Sequence, residues 1–428
     1  MISLSDFKKI EYNIADFGAI TSDSLQTAAI QNAIDTCFLN GGGRVIIPAG
    51  IYRIGCIRVR SGVALYLKSG AILKGSTNPM DYFGYKKDKI EPIREYDPGE
   101  SRSNYPFEKW HNAIIRVINA ENVAIVGEVG SYIDGSNCYD PTGEEKYRGP
   151  HGISIWYSKN ILLDGYTFTD CGNWAHAIFK SQNITAKNLT VYGGHDAFDV
   201  RTCDNIHIED CEFCSGDDGV AGFDNCDVVI RNCIFKSACS ALRFGGNNVL
   251  VENCKGVSPT PFAHRWLLSD EQKRNMMPTN ENCRHDMLNV FQYYCDFRAD
   301  IRKTPGDILI RNCDFVGANR IFDLPFDGEH RWCCNRSLSS IKFENCNFEG
   351  IAEPMNIHGD EKEPINFTME NTKVSMLKGY ENKPFIKAIN FSEINLINVT
   401  AENFTNPIIE TLSNGKINIK DSSDFKIC

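Results

Sequence analysis

NILLDGYTF (Asn160–Phe168), NITAKNLTV (Asn183–Val191), NIHIEDCEF (Asn205–Phe213), DVVIRNCIF (Asp227–Phe235) and NVLVENCKG (Asn248–Gly256) write one pattern five times. Their starts are 23, 22, 22 and 21 residues apart. The pattern returns as DILIRNCDF (Asp307–Phe315) and SIKFENCNF (Ser340–Phe348), then more loosely as INFTMENTKV (from Ile365) and INLINVTAEN (from Ile394). Each copy alternates apolar and polar residues and then turns at Asn, Asp or Gly, the signature of a short strand with one buried face.

A repeat of 21–23 residues is too short for a helical hairpin, and the leucine-rich consensus LxxLxLxxN is missing. That leaves an all-β fold, a single-stranded right-handed parallel β-helix. Its coils stack about 4.8 Å apart, so equivalent residues form ladders along the axis. Asn232-Cys233, Asn253-Cys254, Asn312-Cys313 and Asn345-Cys346 are expected as such ladders. Stacked amides satisfy one another and the turn backbone, which makes these residues structural.

Working outward, the segment Ser24–Asn40 has apolar residues at helical spacing and ends in Gly41-Gly42-Gly43, predicting an N-terminal helix that caps the open end of the stack. The expected organisation is one β-helix domain over 1–428, with an N-terminal cap over about 1–60. The spacing breaks from 22 to 59 residues between Asn248 and Asp307, so about 257–300 reads as a loop insertion. Irregular stretches at about 78–112 and 136–150 are the other long loops, expected to wall a groove with it.

The 428 residues carry a formal net charge of -10, so the surface as a whole repels nucleic acid and anionic membranes. An acidic sugar would need a local basic cluster. The start MISLSDFKKIEYN has no apolar run after a basic end, so a cytoplasmic location is expected unless a leader was removed. The 18 cysteines recur at one place in the repeat and read as reduced thiols in a core rather than as disulfides or zinc ligands. No metal or cofactor is implied.

The stretches Tyr12–Tyr52 and Ser61–Tyr82, the IDGS at Ile133, Arg148–Phe179 and the region around Asp196 are similar to the polygalacturonase family of pectin-degrading glycoside hydrolases, family 28. The likeness covers roughly 12–255. The family's motifs are written NTDG(I/F)D, GDD, GHG and RIK. Here the first corresponds to His195-Asp196-Ala197-Phe198-Asp199 and the second is intact as Gly216-Asp217-Asp218. Asp196 precedes Asp217 by 21 residues, one coil, and three crowded carboxylates cannot all ionise freely, so at least one pKa should rise. Inverting hydrolysis needs one acid for the leaving oxygen and one base for water. The resemblance implies Asp217 as general acid, with Asp196 and Asp218 holding and deprotonating the water.

The GHG histidine is replaced by Ser240, and the RIK region falls on His264-Arg265-Trp266, or alternatively on Arg302-Lys303-Thr304. Substrate contacts are expected from His195, Arg243, Arg265, Ser240, Trp266, His176 and Arg201, with Lys180 a weaker candidate. Trp156, Trp174 and Trp332 are further candidates for stacking on a sugar face. The expected activity is therefore cleavage of pectin-derived or related oligosaccharides, exo-acting if long loops close one end of a groove. The alternatives are a polysaccharide lyase or epimerase on the same fold, or a non-catalytic carbohydrate-binding β-helix. The oligomeric state is left open.

Overall fold

A computed structural model describes residues 2–82, 112–264, 269, 271, 285–296, 301–326, 332–333 and 335–428. The chain divides into two compact units, the first mainly Met1–Asp199 with Cys203–Glu212, the second mainly Val200–Thr202, Phe213–His264 and Asn280–Cys428.

In the first unit a coil consists of three short strands joined at corners, as in His151–Trp156, Lys159–Asp164 and Thr167–Thr169. The next coil repeats them as His176–Phe179, Gln182–Lys187 and Thr190–Gly193. Every strand pairs in parallel with its counterpart one coil on, with Ile155 beside Ile178, Leu163 beside Ala186 and Phe168 beside Val191. The alternation of the repeat decides which side chains enter: Ile153, Ile155, Ile161, Leu163 and Phe168 are fully buried.

Each coil turns its corner at a residue with positive φ. Asn122, Asn160, Asn183 and Asn205 hold φ between 56° and 58°, a conformation that Asn tolerates and most side chains do not. Their amides form the expected ladder: Asn160 donates to Asn122 at 2.9 Å, Asn183 to Asn160 at 2.8 Å and Asn205 to Asn183 at 2.8 Å.

The predicted helix spans Thr27–Leu39 and buries Ile30, Ala33, Ile34 and Cys37. It also closes a strand edge. The Gln31 side chain accepts the Arg58 N–H at 2.7 Å and donates to the Arg58 carbonyl at 3.0 Å, standing in for a neighbouring strand. Gly42, at φ +89°, is required because a Cβ there would lie 2.4 Å from the Gly62 carbonyl.

The second unit is built the same way. Val220–Arg231 pairs with Ser240–Glu252, which pairs with both Asn289–Tyr293 and Gly306–Arg311. The expected ladder is present: Asn253 donates to Asn232, Asn312 to Asn253 and Asn345 to Asn312, at 3.3–3.4 Å. Beside it, the thiols of Cys233, Cys254, Cys313 and Cys346 are buried and hydrogen-bond the carbonyls two residues back at 3.1–3.4 Å. All described cysteines are free thiols. Phe315 and Phe348 stack at 6.0 Å inside.

The 59-residue gap in the repeat is one coil carrying two loops, since Arg243 pairs with Gln292 while Val249 pairs with Ile308. The strand Asn289–Tyr293 therefore lies inside what the sequence presents as an insertion. Most of the loops expected to wall a groove fall at 83–111, 265–268, 270 and 272–284, outside the described residues. Among the described residues no helix is long and apolar enough to cross a membrane.

Candidate functional site

The intact GDD turn lies in the second unit, just ahead of the strand Val220–Arg231. Two serine hydroxyls fix it by donating to the Asp217 carbonyl, Ser237 at 2.5 Å and Ser215 at 2.9 Å. Gly219 follows because a Cβ would meet the Ala241 carbonyl at 2.7 Å and the Phe235 ring at 2.8 Å. Asp217 retains 8% of its surface and Asp218 only 1%.

The Asp218 carboxylate accepts the Ser240 N–H at 3.1 Å and faces Arg243 Nε at 2.5 Å. Burial pushes its pKa up, Arg243 pulls it down and the neighbouring Asp217 charge pushes it up again; the balance lies above the ordinary carboxylate value. Asp218 therefore keeps a proton to higher pH than a free Asp would.

Arg243 is itself built in. Its guanidinium lies 4.4 Å from the Tyr294 ring and 5.8 Å from that of Trp332. On the same unit Arg201 lies 5.1 Å from Phe223 and 5.7 Å from Tyr294. The aromatic faces hold both cations by cation–π attraction. Tyr294 and Phe223 meet edge to face at 4.9 Å.

Asp217, Asp218 and Cys239 bring two carboxylate oxygens and a thiol within 4.8 Å of one another, a donor set that could hold a cation. Against it, burial and the two carboxylates push the Cys239 thiol well above its ordinary range, which keeps it protonated, and Arg243 already compensates Asp218.

In the first unit Asp196 is 1% exposed, and its carbonyl accepts the Ala175 N–H at 3.0 Å. His195, 2% exposed, stacks on Tyr147 with ring centres 6.2 Å apart. Tyr147 comes from the irregular 136–150 stretch. Beside it, the buried Arg148 donates to Asn173 at 2.9 Å and to Glu145 at 3.2 Å.

Several expectations need correction. His176 is fully buried, not a substrate contact: its ring meets the Tyr166 hydroxyl at 2.8 Å and the Ala197 carbonyl at 2.9 Å, and burial pulls its pKa down to about 4. Ser240 is also fully buried; it orients Asp218 and touches Gln292 at 3.4 Å rather than reaching outward. Trp156 and Trp174 are 1% exposed and pack with Phe179, so neither offers a face to a sugar. Arg302 is committed to Asp224, with Nε on Oδ2 at 2.8 Å and its own N–H on Oδ1 at 2.9 Å. Arg265 and Trp266 lie outside the described residues.

Sequence reading passed over Tyr147, Arg148, Phe223, Cys239, Gln292 and Tyr294. The apolar, β-prone run 290–294 was the available signal for a strand here, and that strand pairs Gln292 onto Arg243.

Comparison with known proteins accords with this geometry. The family model for a right handed beta helix region matches residues 102–255. A probable polygalacturonase of Vitis vinifera is 27% identical over 223 residues, 49% of this chain and 43% of that protein. The chain thus matches less than half the length of that relative. Among solved structures, the exopolygalacturonase of Thermotoga maritima aligns with a TM-score of 0.64 at 17% identity, over 87% of this chain and 88% of that one. The A-module of the Azotobacter vinelandii mannuronan C-5 epimerase AlgE6 aligns with a TM-score of 0.57 at 14% identity, over 97% of this chain and 99% of that one. At such identities the structural likenesses establish the fold, a right-handed parallel β-helix. Over about half its length the chain is similar in sequence to a probable polygalacturonase, and its fold is that of a right-handed parallel β-helix.

Proposed function

We propose that this protein is an inverting glycoside hydrolase acting on pectin-derived or related uronic-acid-containing oligosaccharides, exo-acting and cytoplasmic. The observation that carries the proposal is the Asp217–Asp218 pair: two adjacent acids, one almost fully buried with its pKa raised and an arginine at its carboxylate. Such a pair keeps one proton available for a leaving oxygen while an ionised partner polarises water.

In this reading Asp217, the more accessible of the two, donates its proton to the glycosidic oxygen. Burial favours a proton on Asp218 in the free protein, whereas Arg243 at its carboxylate favours the ionised form, in which it takes a proton from water. With Arg243 compensating Asp218, Arg201, fixed on its aromatic faces, supplies the local positive charge that an anionic sugar needs on a chain of net charge -10.

Epimerase relatives on the same fold give a second reading, in which the substrate loses and regains a proton without hydrolysis. The carboxylate pair favours hydrolysis, because abstraction next to a uronate calls for a stronger base than an aspartate. The test is release of reducing sugar from galacturonan, rhamnogalacturonan and neutral oligosaccharides. Wild type should release it, and Asp217→Asn should lose all but a trace. Retained turnover in Asp217→Asn, or a product with unchanged chain length and an altered C5 proton in NMR, overturns the hydrolase reading.

A further inference from the structure

A second place on the first unit has the makeup of a saccharide site, and none of its residues belongs to the acid pair. Asn119, Tyr157 and Lys180 stand directly above one another on three successive coils, as the pairing of Ile118 with Trp156 and of Trp156 with Phe179 fixes. Two residues on, Glu121, Lys159 and Gln182 form a second row, with Lys159 paired to both of the others. Between the rows runs a corner held by Ser158, whose backbone N–H donates to Ser181 Oγ and whose hydroxyl donates to the Trp156 carbonyl. A hollow of about 290 Å³ opens over the two rows. Small-molecule sites span roughly 300–1,000 Å³, so this one suits a single sugar ring.

Two features of the corner bear on what it can hold. The first is backbone cost. Asn119, Tyr157 and Lys180 have φ of 50°, 48° and 46°. Asn takes that conformation readily; Tyr157 and Lys180 take it at greater cost, as Thr202 and Asp224 do 22 and 44 residues beyond Lys180, and the shared corner sets their side chains in one row. The second is an incomplete polar group. Both amide atoms of Asn119 are buried and find no hydrogen-bond partner among the described residues. Such groups are normally paired, and a turn of this side chain toward the hollow would let ligand hydroxyls complete it.

The chemistry of the rows selects the ligand. The Lys180 ammonium lies 5.7 Å from the Tyr157 ring centre, so a cation and an aromatic face stand side by side. The Gln182 and Asn119 amides and the Glu121 carboxylate suit sugar hydroxyls, and two lysines against one glutamate leave a net positive charge. We propose that this corner binds one hexuronate unit of a saccharide, with its carboxylate at Lys180 and its ring beside Tyr157. The choice of a uronate rests on the substrate class proposed above; the existence of the site does not.

Calorimetric titration with galacturonate and with galactose, alongside reducing-sugar release by the same proteins, tests the proposal. Wild type and Asp217→Asn should both bind galacturonate saturably, and galactose about tenfold or more weakly. Lys180→Gln should weaken galacturonate binding about tenfold, the usual scale for losing one charge-assisted contact. Tyr157→Asn, which keeps a residue suited to the left-handed corner, should do the same. If galacturonate gives no saturable heat, if both variants bind it as wild type does, or if galactose binds equally well, the proposal is overturned. Should turnover be absent while the lysine and tyrosine variants still lose binding, the hydrolase reading fails and this site stands.

Discussion

Lowering the pH from 7 to 4 should unfold this protein more readily, and a single buried histidine should account for much of the loss. His176 sits in the first unit with no exposed surface, between the Tyr166 hydroxyl and the Ala197 carbonyl, and against Phe198 at 5.0 Å between ring centres. Burial lowers its pKa from 6.5 to about 4. The folded chain therefore keeps the imidazole neutral where the unfolded chain would protonate it. Below about pH 6.5 the unfolded state binds the extra proton, so stability falls as pH falls, at 1.36 kcal/mol per pH unit. The loss stops near pH 4, where the folded state also takes the proton, and amounts to about 3 kcal/mol. Urea denaturation of wild type and His176→Gln at half-unit steps between pH 4 and 7.5 reads this directly. His176→Gln should be less stable at pH 7 by about 1–2 kcal/mol, because the Tyr166 and Ala197 partners are met less well. Its stability should then decline less steeply than that of wild type, so that the two curves converge or cross toward pH 4. Parallel curves, or an imidazole titrating above pH 6 by NMR in the folded protein, would refute the reasoning and reopen His176 as an accessible residue.

Three other perturbations follow from the same structure. Arg243→Gln strands the Asp218 carboxylate in a site where it is 1% exposed, so chemical denaturation should show a loss of about 3 kcal/mol, with activity falling too. Adding Asp218→Asn should restore most of that stability but none of the activity, and additive losses in the double variant would exclude the pairing. Because the folded state raises the pKa of Asp218, it holds a proton that the unfolded chain has released, so this group's contribution to stability falls as pH rises through the acidic range; Asp218→Asn should flatten that part of the urea-derived profile. Asn183→Ala removes two rungs of the amide ladder and forces a Cβ residue to φ 57°, and should cost about 2–3 kcal/mol in thermal or urea unfolding. Asn183→Gly keeps the conformation and loses only the rungs, so it should cost about 1 kcal/mol less; a glycine variant as unstable as the alanine one would show that the corner geometry contributes nothing.

How far the sequence discloses this molecule depends on whether an interaction is local to a coil or reaches across coils. The strand rows, the Asn and Cys ladders and the helix Thr27–Leu39 were legible because each repeats at a fixed spacing, and one rung predicts the next. The GDD turn was legible for the same reason, as a short motif. The Arg243 setting was not. Its ring partners Tyr294 and Trp332 come from 51 and 89 residues downstream, across loops that break the period, and no spacing rule reaches them.

The misplacement of His176 and Ser240 has a different origin, since strand parity was enough to place both. His176 has the parity of Ile178, and pairs in the ladder with Ile153, so it points into the core. Ser240 shares the parity of Leu242, whereas Arg243 lies on the opposite parity and reaches the aromatic faces instead. A motif position assigned Ser240 to the ligand, and a place one coil before Asp196 assigned His176; the period of two assigns both to the inside. For His176 the consequence is chemical as well as structural: a ring on the core face meets one hydroxyl and one carbonyl rather than water, which is why its proton is so weakly held. Where motif likeness and strand parity disagree in a coil of this kind, parity carries the decision, because a one-residue error in it would turn every neighbouring isoleucine out of the core.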